Sequence, residues 1–169
     1  MNAVIQSMIA ELEQEAAATR RVLKVVPEDK LAWKPHAKSR SLGELAYHVA
    51  GIPGNVSRLL LLDGYDAKKA NFGGQSAESV DQLLNLLDDG VKQAKSILAD
   101  LSDEKAGAIW TLTAGDRTVF SIPRLQVARN VLFNHTCHHR GQLTVYLRIL
   151  DVPLPVVYGR SADTNPFAD

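Results

Sequence analysis

The chain has 169 residues, 46% apolar and 22% charged, which suits a single domain over residues 1–169 with a full-sized core. Lys plus Arg and Asp plus Glu number 19 each, so the net charge is zero, which argues against bulk attraction to nucleic acid. No run of about eighteen apolar residues could span a membrane, Met1 to Glu15 lacks a signal peptide's basic start and apolar middle, and the single cysteine permits no internal disulfide; a reducing cytoplasm is the expectation.

Residues 2–26 read as a first helix, with Val4, Ile5, Met8, Leu12, Ala16, Thr19, Val22, Leu23 and Val26 at three- and four-residue spacing and Pro27 closing it. Glu28 to Arg40 reads as a loop with a short turn, and its His36 has no periodic context. The second helix opens on a capping box, Ser41 with Glu44 three residues on. Leu42, Leu45, Val49, Ile52, Val56 and Leu60 form its core stripe, His48 lies at the edge of that stripe, a kink is expected at Pro53-Gly54, and Gly64 ends it. A polar, Gly-rich crossover over residues 65–76 leads to a third helix, capped by Ser76 or Ser79 and striped by Val80, Leu83, Leu87, Val91, Ala94, Leu98 and Leu101. Gly90 sits in its middle with no local reason. Residues 109–122 form either a short hairpin or an ordered loop.

Ser121 and Pro123 then start a fourth helix that runs to Leu150. Each helical residue advances about 100°. Ala128, Leu132, His135, His139, Gln142, Tyr146 and Leu150 therefore share one side, which the spacing predicts to face the core. An i, i+4 histidine pair is how a helix offers two nitrogens to one metal ion. His135 and His139 are that pair, and His48 is the third nitrogen from the second helix. His138 flanks the stripe, and Cys137 points almost opposite to it. A buried histidine can also be a hydrogen-bonded core residue, so the pair alone leaves both readings open. Gly141 costs about 1 kcal/mol inside a helix, and a small residue there could admit a ligand or another element. After Asp151-Val152-Pro153 the tail is irregular. The expected fold is all-α: a four-helix bundle with a long crossover between helices two and three.

The segment Ser41 to Ala50, the run His135 to Leu143 with Tyr146-Leu147-Arg148, and the ending Val152-Pro153 with Tyr158 to Asp163 resemble the DinB/YfiT-like superfamily of bacterial metal-binding four-helix bundles. The resemblance spans nearly the whole chain. It implies an up-down-down-up bundle, a homodimer, and a divalent ion, zinc or nickel, held at His48, His135 and His139. It also implies, for some relatives, transferase or isomerase chemistry with a low-molecular-weight thiol such as mycothiol, bacillithiol or glutathione.

Three neutral imidazoles leave an ion its full charge and an open position. That supports two enzymatic readings, activation of a cosubstrate thiol for transfer or activation of water for hydrolysis. A non-enzymatic reading stands beside them, a metal-stabilised bundle that binds a small ligand or a partner in a stress response. Arg140 and Gln142 are close enough in sequence to orient a polar ligand, and Arg160 with Tyr158 could fold over the cleft.

Overall fold

The computed structural model describes residues 3–70 and 74–167. The expected helix start at Asn2, Asn71 and Gly73 of the crossover, and the last two residues of the tail lie outside the described residues. Helix α1 spans Ala3–Leu23, α2 Leu42–Leu59, α3 Val80–Ala99 and the short α4 Asp103–Gly107. The last helix has three parts: α5 (Arg124–Val127), a π-helical segment (Ala128–Asn134) and α6 (His135–Ile149).

The all-α four-helix bundle is corrected by a three-stranded mixed sheet of order β1-β2-β3. Strand β1 (Gly64–Asp66) runs parallel to β2 (Ile109–Ala114), and β2 runs antiparallel to β3 (Arg117–Pro123). Trp110, Thr111, Thr113, Val119, Phe120 and Ile122 supply the β-branched and aromatic side chains that fit a pleated surface. The turn between β2 and β3 uses Gly115 at φ 62°, and its amide donates to Asp66 Oδ1 at 2.9 Å, tying the hairpin to the crossover. Strand β1 has three residues, too few for a period-2 pattern to show. Gly64 does not stop a helix. A Cβ there would lie 2.6 Å from the Thr111 carbonyl oxygen, so a glycine lets this parallel pair approach. The fourth helix begins at Arg124 because Ser121 and Pro123 belong to β3.

Two apolar clusters fill the interior. One gathers Met8, Leu12, Ile52, Val56, Leu98, Trp110, Leu132 and Phe133. The other gathers Val22, Leu45, Val49, Leu83, Leu87, Leu143 and Leu147. Each long helix feeds both clusters, so its middle residues sit at a waist between them. On α1 that waist holds Glu15 and Thr19, on α2 Gly51, on α3 Gly90, and on the last helix His135 to Arg140.

Helix α2 keeps its capping box: Ser41 Oγ accepts from Glu44 N at 3.1 Å, and Glu44 Oε2 accepts from Ser41 N at 2.6 Å. The helix continues through Pro53 to Leu59. Gly90 finds its reason at the crossing of α2 and α3, where a Cβ would meet Gly54 N at 2.8 Å. Ser79, not Ser76, caps α3 by accepting from Gln82 N at 3.1 Å.

Candidate metal centre

The π-helical segment decides which way the histidines point. A π turn closes its hydrogen bond one residue later than an α turn, so it inserts about one residue into the helical phase. Ala128 and Leu132 are buried as the stripe predicts. Beyond the π segment the buried residues are Thr136, Arg140, Leu143 and Leu147, each one position later than His135, His139, Gln142 and Tyr146. The expectation that His135 and His139 face the core is therefore corrected. They stand half-buried on the wall of a cleft, one turn apart, with His48 of α2 opposite.

The three rings converge. His48 Nε2 and His135 Nε2 lie 3.2 Å apart, and one ring nitrogen from each of the three histidines falls within 4.8 Å of the others. Ring centroids are separated by 5.3 Å for His48–His135, 4.5 Å for His48–His139 and 4.4 Å for His135–His139, each pair nearly perpendicular. Gln142 is exposed, not in the core, and its Oε1 lies 2.8 Å from His139 Nδ1. The amide oxygen accepts, so Nδ1–H donates and Nε2 keeps its lone pair for a ligand role.

Burial pushes His48 down to about 3, helped by the positive charge of Arg40 and by the neighbouring rings. Burial likewise pushes His135 down to about 4, with His139, His138 and Arg40 adding to it. His139 is lowered by burial as well, against the opposing hydrogen bond from Gln142. Neutral imidazole is the form that binds a metal.

This donor set fits a divalent ion. Two aromatic nitrogens facing each other at 3.2 Å share either a proton or a cation. A tetrahedral ion bonded at about 2.0–2.1 Å would hold neighbouring nitrogens roughly 3.3 Å apart. His48, His135 and His139 are the residues that would hold it. Neutral ligands would leave its 2+ charge to acidify a thiol or water at a further position.

The trio closes one end of a cleft of ≈ 730 Å³. Ile52, Val56 and Leu59 of α2 form one wall, and Val127 and Val131 form another. The floor is the sheet, where Tyr65 pairs with Leu112 and Leu112 with Phe120 across the strands. Trp110 lies beside them, its ring 6.0 Å from that of Phe120 and its Nε1–H donated to Leu59 O at 3.0 Å. Arg40, Glu44, Tyr47, Asn55 and Gln75 bring the polar groups. Sequence reasoning missed these residues. The alternation Trp110, Leu112 then Phe120, Ile122 was the available signal for the floor, whereas a lone arginine before a cap carries none.

Other candidates lie elsewhere. His138 is exposed and touches only the outer side of the trio, 4.9 Å from the His139 ring. His36 accepts from Lys38 N at 3.1 Å in an exposed turn. Arg140 neither orients a cleft ligand nor is solvated. It is 1% exposed, paired with Glu15 Oε2 at 2.6 Å, and donates to Glu15 O at 3.0 Å and Thr19 Oγ1 at 3.1 Å. Tyr158 joins that cluster, its hydroxyl donating to Glu15 Oε2 at 2.7 Å and lying 3.1 Å from Cys137 Sγ. Neither Tyr158 nor the exposed Arg160 borders the cleft. Nothing lies within 4 Å of a Cβ built on Gly141, so no element or ligand site crowds it.

Among the described residues no helix is long and apolar enough to cross a membrane. Comparison with curated proteins finds no match. The fold matches a DinB-like protein from Bacillus subtilis at TM-score 0.67 and 17% identity, covering 92% of this chain and 99% of that one. One from Bacillus cereus ATCC 10987 matches at 0.70 and 18% over 90% and 97%. A protein described as a member of the DinB family, from Exiguobacterium sibiricum 255-15, matches at 0.67 and 22% over 92% and 97%. At these identities the likeness shows the fold. A family model described as the DinB superfamily matches residues 11–143, and a match over most of the chain settles kinship: the protein belongs to the DinB superfamily.

Proposed function

We propose that the chain binds a divalent ion, zinc or nickel, through His48, His135 and His139, and that the centre serves thiol transfer to an electrophile held in the cleft. The observation that carries the reading is the convergence of three imidazole nitrogens within 4.8 Å at the end of a cleft of ≈ 730 Å³. A purely structural ion would have no need of such a space. Cys137 does not supply the sulfur: its Sγ lies among Tyr158, Glu15 and Arg140 on the α1 side. The nucleophile therefore comes from a low-molecular-weight thiol. The thiol S–H gives up its proton, sulfur bonds to the electrophilic carbon, and the bond to the leaving atom breaks with its electron pair. With an epoxide the opened oxygen takes the proton; with a haloarene the halide departs and the proton goes to solvent. Association as a homodimer belongs to the same proposal, supported by the exposed Val145 and Ile149 one turn apart on α6.

The test has two parts. Elemental analysis of purified protein should give about one ion per chain, absent from His135→Ala. Metal-loaded protein is then incubated with an epoxide or a haloarene, with and without glutathione, bacillithiol or mycothiol. Conjugate that requires both thiol and ion, and that His139→Ala abolishes, supports transfer. Turnover without thiol assigns hydrolysis instead. A bound ion with no turnover across the panel, whose removal lowers the melting temperature, assigns the non-enzymatic reading.

A further inference from the structure

We propose that the substrate of this cleft is an uncharged, elongated apolar electrophile that lies along α2, with its reactive carbon at the histidine end and its apolar body over the sheet. The inference rests on the metal-site reading for the chemistry at that end; its binding test does not. With a terminal epoxide, the thiol sulfur bonds to the end carbon, the carbon–oxygen bond breaks, and the oxygen takes the thiol's proton.

The cleft has a direction. On α2 its wall is His48, Ile52, Val56 and Leu59, successive turns of one helix face, so the wall runs about 16 Å from the histidine to Leu59. On the last helix the matching wall is Val131 and then Val127, read backwards from His135. His48 meets His135 at 3.2 Å, so both walls have their imidazoles at one end and their apolar residues at the other. The sheet closes the apolar end: Trp110 Nε1–H donates to Leu59 O at 3.0 Å, and β3 leads straight into the helix that carries Val127. Leu59, Tyr65, Leu112, Phe120 and Val131 are only partly buried, so apolar surface faces the open cleft. Covering it is the favourable term for an apolar body of matching length. Charge separates the ligand classes. Among the described residues the lining carries two charged side chains, Arg40 and Glu44, opposite in sign and both before His48 in the chain. Together they offer a ligand no net charge, and no charged residue of the lining beyond His48 compensates one carried into the apolar end.

Hexanol, octanol and decanol are uncharged probes whose hydroxyl stands in for the opened epoxide. Calorimetric titration of the metal-free chain should show affinity rising about fourfold per added methylene across the series, the yield of burying one CH2 group. A hydroxydecanoate with its carboxylate at the far end of the chain should bind about tenfold more weakly than decanol. A Trp33→Phe chain keeps Trp110 as its one tryptophan. In it, decanol brominated at the far end should quench the emission, and decanol brominated beside the hydroxyl should not. Phe120→Gln should weaken decanol more than hexanol. Should that variant unfold, the quenching pair still reads where the chain lies. Flat affinity across the alcohols, equal or tighter binding of the hydroxy acid, equal quenching by the two bromides, no quenching by either, or an unchanged series in folded Phe120→Gln would each overturn the proposal. Zinc stoichiometry from equilibrium dialysis is measured on the same samples. Absence of zinc with the series and the quenching intact defeats the metal reading alone; zinc binding with a flat series defeats this inference alone.

Discussion

Two faces of α6 carry polar side chains at the same height, and they treat them in opposite ways. Toward α1, the Arg140 guanidinium is enclosed and saturated by Glu15, Thr19 and Tyr158. Toward α2, two imidazoles meet nitrogen to nitrogen at 3.2 Å and the third brings a nitrogen within 4.8 Å, with Gln142 fixing the outer nitrogen of His139. Burial raises Glu15, yet the hydrogen bonds from Tyr158 and Arg140 hold its carboxyl below the usual range, so the ion pair is intact near neutrality. A cluster whose donors and acceptors already match each other stabilises the fold. A cluster of like donors pointed at one place and left unmatched is prepared for something that binds.

The sharpest way to break this contrast is Arg140→Ala. It strands the Glu15 carboxylate and removes a buried partner, so unfolding in urea should show a loss of about 3–5 kcal/mol. Zinc stoichiometry should not change; a lost ion with intact stability would reverse the roles assigned to the two faces. The complement is His135→Ala, which should lower zinc affinity in equilibrium dialysis by about 100-fold or more while the circular-dichroism spectrum stays helical.

Two helix glycines sharpen the same comparison between filled and open surroundings. Gly90→Ala places a methyl against the Gly54 backbone, so overpacking of about 1–3 kcal/mol should outweigh the gain in helix propensity. Gly141→Ala meets open space and should stabilise the chain by about 1 kcal/mol. Thermal melts of the two single variants should move in opposite directions.

The smallest effect expected is in acid, because water screens the half-buried rings. In the metal-free chain His48 and His135 titrate near 3 and 4, below the ordinary 6.5 of the unfolded state. Above 6.5 both states are neutral and the groups contribute nothing. Between 6.5 and the folded values the unfolded chain binds protons that the folded chain does not, so stability falls as pH falls and then levels off. His48→Gln should flatten that slope in urea titrations between pH 6.5 and 4.5; an unchanged slope would place the acid sensitivity elsewhere.

Much of the site was legible because its signals are local. The Ser41–Glu44 capping box depends on three-residue spacing and is present as written. The i, i+4 spacing of His135 and His139 needs nothing beyond one helical turn, and His48 was placed at the edge of its stripe, where the structure has it on the cleft. The direction of the pair was not legible. A uniform 100° step carries Ala128 and Leu132 correctly to the core, then fails at the π segment, where the slip of one residue moves the inward positions to Thr136 and Arg140. Arg140 looked available to a ligand because its partners, Glu15 and Thr19, lie more than a hundred residues earlier.

By itself, then, the sequence determined where the long helices form, how the second of them begins, and that His135 and His139 stand one turn apart with His48 a candidate third ligand. Tertiary structure decided the rest: that Gly64 to Asp66 becomes a strand beside Thr111 to Thr113, that Gly54 and Gly90 touch, and that the sheet floors a cleft beside the histidines. The physical reason is range. Caps and helical stripes are set by interactions within a turn or two, whereas a three-residue parallel strand or a glycine crossing has no stability until distant segments have already been packed together.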